Sequence, residues 1–488
     1  MDMQEPPTQG IDFQFSRVDV IVEKVMEKWH VPGLTLGITQ NGAVVYTKAY
    51  GWRDVEKKRP MTVDTVMPIG SNSKSFNGLL MALLVDEKKL RWDSKVVEHL
   101  PEFKLKDGYA TQHMTVRDLL IHNSGLPRHD LALFSRNMAQ QDVLATLPHL
   151  EPNTSFRQKF QYQNMMQMTA SYLQERVTGL PWHALLTQRV LEPLGMTNSN
   201  ATWKDWSQAK QWAQPYRYQE GGLRLIERQN IDAVAGAGAI NSTVPDMLKY
   251  LQFRLGYPPK NGGPLLSQEQ SKEIDRSQMP MGNYFEDVET GDYAMGVMRS
   301  QYGRHTLFSH GGAVEGFISS MAWVPDAKLG LVVLTNSETS ASRVVQNSVL
   351  DLALGLDASD WIERETLNEQ TLQKAQDAMR AKFMHARIPN TQPSRPLSAF
   401  VGRYHHPAYG VVEIQPTQEG LAMRLGRLSA NLVHHHYDVF SIDPQASNFF
   451  GQMLVHQAIA FAGNDAGVVD RITIPVEPTL APLVFMRQ

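Results

Sequence analysis

Cysteine is missing from all 488 residues. Its absence excludes disulfides, a thiol nucleophile and thiolate-held metal, and leaves the compartment undecided by redox chemistry. Net charge is also small: 47 Lys and Arg stand against 50 Asp and Glu, a formal balance of −3. Nothing in it points to nucleic acid or an anionic membrane as a partner. No apolar run reaches the ~18 residues of a transmembrane helix. Met1 to Gly10 is polar and Pro-bearing, without a basic segment leading into an apolar one. The expected location is therefore cytoplasmic. What remains is ordinary globular composition, 42% hydrophobic and 20% charged, at a length that accommodates two or three domains.

The most informative stretch is Met67-Pro68-Ile69-Gly70-Ser71-Asn72-Ser73-Lys74-Ser75-Phe76. Apolar residues recur after it at Leu79, Leu80, Leu83 and Leu84, the spacing of a helix with one buried face. Ser71 falls at or just inside the helix start, and Lys74 lies one turn on, on the same face. A serine hydroxyl needs a base before it attacks. A desolvated lysine has its pKa lowered and is able to act as that base. The positive helix end favours a developing oxyanion. An N-cap serine followed by a surface lysine fits the same four letters, so the rest of the chain has to decide.

Phe15 to Trp29 reads as an amphipathic helix, and Leu34–Thr39 with Ala43–Tyr50 as a hairpin turning at Asn41-Gly42. Residues 93–230 read as mostly helical, including a helix capped at Thr115 and running to His122. Trp203, Trp206, Trp212, Tyr216 and Tyr218 either line an entrance or anchor a long loop. Gly236-Ala237-Gly238 lets backbone pass close to a ligand, but it is not a phosphate loop. Strands return at Tyr293–Arg299, Gly316–Val324 and Gly330–Asn336, with a helix from Ser342 to Leu354. The expected fold class is α/β of the α+β kind: an antiparallel sheet flanked by helices, plus an all-helical lobe. Trp361–Ile388 reads as a helical connector, Pro389–Pro396 as linker, and residues 397–488 as a small antiparallel β-barrel. The expected domains are thus 1–360, a connector over 361–396, and 397–488. His434, His435 and His436 would alternate across a strand, so no metal site is expected there.

Two later segments weigh on Ser71 and Lys74. They are Phe160-Gln161-Tyr162-Gln163-Asn164 and Phe308-Ser309-His310-Gly311-Gly312-Ala313. In this order the three segments resemble the Ser-x-x-Lys, Tyr-x-Asn and Lys/His-x-Gly motifs of the serine β-lactamase, penicillin-binding protein and esterase family, nearest its class C-like branch. His30-Val31-Pro32-Gly33, Leu119 to Pro127 and Leu194-Gly195-Met196 are similar to the family as well. Phe400–Tyr404, Leu432–Phe440 and Pro482–Arg487 resemble the lipocalin-like barrel appended to some members.

The resemblance implies roles. Ser71 would be the acylated nucleophile and Lys74 its base, alone or through Tyr162, which would also protonate the leaving group. Asn164 would hydrogen-bond the substrate amide or Lys74. His310-Gly311-Gly312 would form an edge strand lining the site. The N–H groups of Ser71 and Ala313 would make the oxyanion hole. His122 is read as holding a turn beneath the site. No cofactor is implied. His310 stands where classical β-lactamases carry Lys, and Gly311 replaces a hydroxyl residue, so a permanent cation for a substrate carboxylate is missing. That disfavours a dedicated β-lactamase. It leaves a hydrolase of an ester or amide, acting on a small-molecule or peptide acyl substrate. The alternatives are an acyltransferase or cyclising thioesterase, and a catalytically silent scaffold.

Overall fold

Gly33–Gln40 (β1) and Ala43–Asp54 (β2) form the expected hairpin. Asn41 and Gly42 both take positive φ at its tip, as a tight hairpin turn of this hand requires. In the computed structural model, residues 15–135, 138, 140–219, 221–259, 262–282, 291–443 and 454–488 are described. Met1 to Gly10, read above for targeting, lies outside them.

The hairpin belongs to a nine-stranded antiparallel sheet. Its other strands are Arg59–Pro60 (β3), Met279–Gly282 (β4), Gly291–Tyr293 (β5), Met298–Tyr302 (β6), His305–Val314 (β7), Phe317–Val324 (β8) and Leu329–Thr335 (β9). The order is β3-β2-β1-β9-β8-β7-β6-β5-β4. The first and last strands of the sheet in chain order thus meet at its centre, where β1 pairs β9 from Leu34 opposite Thr335 to Gln40 opposite Leu329. Two helices, Phe15–Trp29 (α1) and Ala341–Leu354, cover one face through Val18, Val22, Val25, Val345 and Val349. The helix Val244–Arg254 covers the other through Val244, Leu248 and Leu251, and the helix Ser73–Asp86 (α2) packs beyond it, with Phe76 stacked on Tyr250 and a lobe of short helices outside. This is the expected fold class.

α2 differs from its expected amphipathic form. Every residue from Ser73 to Leu84 is buried. Helices buried all round occur at the centre of large domains, and the polar residues here have partners to match. Asn77 donates to Gln167, and Ser75 Oγ lies 2.7 Å from both the Tyr250 hydroxyl and the buried Arg254 guanidinium. The segment 115–122 also departs from expectation. Asp118 accepts from the Thr115 N–H and hydroxyl, but the chain continues as turns. His122 sits at φ +61°, which no right-handed helix admits. The aromatics after residue 202 anchor their segment. Trp203, Trp206 and Trp212 surround the Arg228 guanidinium, and Tyr216 is buried, accepting from the Val55 N–H.

After the exposed helix Trp361–His385, eight strands close a barrel: Gly402–His406, Gly410–Pro416, Leu421–Leu425, Leu428–His436, Val439–Ile442, Ile459–Gly463, Val469–Ile474 and Leu483–Arg487. Alternating buried residues fill it, among them Tyr404, Val412, Ile414, Met423, Leu425, Phe461 and Phe485. Closure removes the free edges that so small a sheet would otherwise expose.

Candidate active site

Gly70–Asn72 forms a short 3₁₀ turn that runs directly into α2. Ser71 is therefore at the helix start, where backbone N–H groups lack intrahelical acceptors. It is partly exposed in a run of buried residues. Lys74 is fully buried, and its Nζ lies 2.9 Å from Ser71 Oγ and donates to the Ala237 carbonyl at 2.7 Å. Burial, and then the nearby Arg128 charge, hold the Lys74 amine well below its ordinary pKa, while Asp130 opposes them. Among the described residues no carboxylate forms an ion pair with it. A neutral amine at this distance has a lone pair for the serine proton.

Tyr162 arrives from the opposite side, just ahead of the helix Asn164–Thr178 (α3). Lys74 Nζ lies 4.8 Å from its ring centre and the Arg128 guanidinium 4.9 Å. The phenol ring is thus faced by the Lys74 amine and by the Arg128 guanidinium. His122 stacks on the ring with centroids 4.4 Å apart. The Gln163 N–H donates to His122 Nδ1 at 3.0 Å, which fixes the imidazole proton on Nε2. Burial keeps that ring neutral, its pKa well below the usual range. His122 thus supports Tyr162 and the turn beneath the site, the position read for it from the sequence. Asn164 donates to Asp130 Oδ1 at 3.4 Å. The N-cap of α3 is Gln163, whose side-chain oxygen accepts from the Met165 N–H at 2.5 Å.

The His310 segment differs in part from expectation. β7 is an interior strand, between β6 and β8. Pairing with β6 ends at Ser309, however, so His310–Val314 has β8 on one side and the Ser71 turn on the other. Only that half acts as an edge. Val314 and Phe317 close the β7–β8 hairpin. In such a ladder the next pair, Ala313 and Ile318, directs its N–H groups outward. Ala313 N then faces Gly70. A Cβ on Gly70 (φ +50°) would stand 2.7 Å from that nitrogen, and one on Gly312 would stand 1.9 Å from the Ile69 carbonyl oxygen. Ser319 on β8 ties the contact together, donating to the Ile69 carbonyl and accepting from Asn72 Nδ2, both at 2.8 Å. Gly312 and Ala313 are therefore beside Ser71 through their backbone.

The His310 side chain faces inward. Its Nδ1–H donates to the Gly311 carbonyl at 2.6 Å, and the Tyr293 hydroxyl donates to Nε2 at 3.1 Å. Burial and Lys74 push its pKa down to about 3. His310 is neutral, with both nitrogens engaged, and supplies no cation. The charged groups at the mouth are instead Arg128 and Asp130, joined by a 2.6 Å ion pair. Sequence reading missed both, together with Tyr293; it marked the Ala237 turn as close to the site, but not its carbonyl as the acceptor of Lys74. The available signal was that Arg128-His129-Asp130 directly follows the noted Leu119–Pro127 stretch.

The chain also has known relatives. The beta-lactamase family model matches residues 18–355, and a model called domain of unknown function (DUF3471) matches 386–487. The unguisins hydrolase of Aspergillus campestris is 27% identical over 410 residues, 80% of this chain and 75% of that one. Protein flp of Staphylococcus aureus is 27% identical over 325 residues, 66% of this chain and 62% of that one. The octameric penicillin-binding protein homologue of Pyrococcus abyssi superposes with a TM-score of 0.64 at 22% identity, over 96% of this chain and all of that one. The D-amino acid amidase of Ochrobactrum anthropi gives 0.60 at 23% identity, over 70% and 98%. With the family model spanning more than two thirds of its length, this chain belongs to the beta-lactamase family.

Proposed function

We propose that this protein is a serine hydrolase that cleaves an ester or amide through a covalent acyl-enzyme on Ser71. The observation that carries the reading is the 2.9 Å approach of a fully buried, pKa-depressed Lys74 to the Ser71 hydroxyl. Lys74 takes the serine proton as Oγ attacks the acyl carbonyl. The Ser71 and Ala313 N–H groups receive the oxyanion. Tyr162, facing both Lys74 and Arg128, passes the proton to the leaving group and then draws one from the deacylating water. Asn164 holds the substrate amide. The relative named as an unguisins hydrolase supports hydrolysis as the reaction. The neutral His310 disfavours a substrate held by its carboxylate on that strand.

The test is intact mass after treatment with a fluorophosphonate, beside Ser71→Ala. One adduct on the wild type and none on the variant is expected; a folded wild type that stays unlabelled contradicts the reading. Tyr162→Phe should lower kcat of ester turnover by ~10²-fold with KM little changed. A wild-type kcat would remove Tyr162 from proton transfer.

A further inference from the structure

His129 joins the two parts of the chain. It is fully buried and sits at φ +51°, a conformation uncommon for a residue with a side chain, and one that persists only where surroundings impose it. All of its polar groups are held. Nε2–H donates to the Glu151 carbonyl at 3.0 Å, which leaves Nδ1 to accept from the Tyr409 hydroxyl at 2.7 Å. Its backbone N–H donates to Glu477 Oε2 at 2.9 Å. Tyr409 and Glu477 both belong to barrel turns, and both are buried. A third barrel turn adds Arg427, which donates to the Phe134 carbonyl at 2.8 Å and, through its backbone, to Ser135 at 2.8 Å.

What the barrel grips is one residue from the site on either side. Arg128 precedes His129 and lies over Tyr162; Asp130 follows it and accepts from Asn164. The Gln163 side chain, between Tyr162 and Asn164, donates to the Pro127 and Arg128 carbonyls at 3.0 and 3.3 Å. So an unbroken path of hydrogen bonds runs from the barrel through Pro127–Asp130 to the Tyr162–Asn164 segment.

We propose that the C-terminal barrel is a working part of the active site, and that Tyr409 and Glu477 are positioning residues which, through His129, hold Arg128 and Asp130 against Tyr162 and Asn164. This rests on the serine hydrolase reading and adds a cross-domain requirement to it. Neither residue touches substrate. Each acts by fixing a strained turn whose two charged side chains face the site.

The experiment uses full-length protein with Tyr409→Phe, Glu477→Gln and Arg427→Ala, and with Arg403→Ala as a barrel-surface control. Among the described residues the Arg403 side chain pairs with Glu413 alone. Second-order rates of fluorophosphonate labelling are measured from pH 5 to 10 beside melting temperatures. Tyr409→Phe and Glu477→Gln should label at least about tenfold more slowly, the loss expected of a slight misplacement in a catalytic constellation. Their acid limb should move to higher pH as Arg128 draws away and the Lys74 amine regains basicity, whereas Arg403→Ala matches wild type. A merely structural role would lower the melting temperature and leave the pH profile in place, and that result overturns the proposal. So do wild-type labelling rates in Tyr409→Phe and Glu477→Gln. Should either fail to fold, Arg427→Ala decides by the same criteria. A wild type that never labels condemns the serine hydrolase reading itself.

Discussion

Lys74→Met should slow acylation of Ser71 by ~10²–10⁴-fold, the range a positioned general base supplies, while leaving the protein about as stable as wild type. Met has nearly the volume of the lysine stem, so the site stays filled. The variant loses two hydrogen bonds, to Ser71 Oγ and to the Ala237 carbonyl, and that carbonyl is left without its donor, a cost of about 1–3 kcal/mol. Against that, the wild type has to bury an amine that forms no ion pair with a carboxylate among the described residues, and Met removes the desolvation penalty. The pH dependence separates these terms. In the folded state Lys74 binds its proton less tightly than in the unfolded chain, where the value is about 10.4. Between the lowered pKa and that value, unfolding takes up a proton. Wild-type stability therefore rises with pH across this window and levels off above it. Urea denaturation at pH 7 and about pH 9.5 should show the rise in the wild type and a smaller slope in Lys74→Met. Equal slopes would mean that Lys74 keeps its proton in the folded protein, and the base assignment would fall with it.

Gly312→Ala should cost ~10²–10³ in kcat/KM, the size of one lost oxyanion-hole donor. The added methyl meets the Ile69 carbonyl at 1.9 Å and the Ser319 hydroxyl at 2.6 Å. The first is backbone and has no rotamer to retreat into. Relief requires β7 and the Ser71 turn to separate by about 1 Å or more, which is enough to spoil a near-attack geometry. Overpacking of this kind also costs ~1–3 kcal/mol of stability. Gly311→Ala is the comparator, because its methyl meets only the Ser319 carbonyl at 3.8 Å and should leave the melting temperature unchanged. Wild-type kcat/KM in Gly312→Ala would mean that the Ala313 N–H is not where the oxyanion forms.

The sheet, the central helix and the barrel were legible because their signals are local. Asn41-Gly42 marks a hairpin whatever surrounds it, and short barrel strands such as Leu421–Leu425 and Val469–Ile474 carry their own run of inward apolar residues. The apolar spacing after Ser71 gave a helix correctly but not its burial on all sides. That depends on Arg254, Tyr250 and Gln167 answering its polar face from far along the chain. Thr115–His122 failed as a helix because Asp118 closes the turn through its own side chain, and also takes the Arg157 guanidinium. The approach of Ser71, Lys74, Tyr162, Gly312 and Ala313 followed from motif order. The inward turn of His310 did not, since its partner Tyr293 carries no motif. Arg128, Asp130 and the His129 clamp were hidden for the same reason: their meaning lies in contacts with Tyr162, Asn164 and a barrel some 280 residues on.

The most direct test of the central claim is the mass of the protein quenched in acid during turnover of a p-nitrophenyl ester. An increase equal to the acyl group, carried by the peptide containing Ser71, appearing before steady state and absent from Ser71→Ala, is the predicted result. Steady turnover with unmodified protein throughout, or an acyl group on any other residue, would contradict the account.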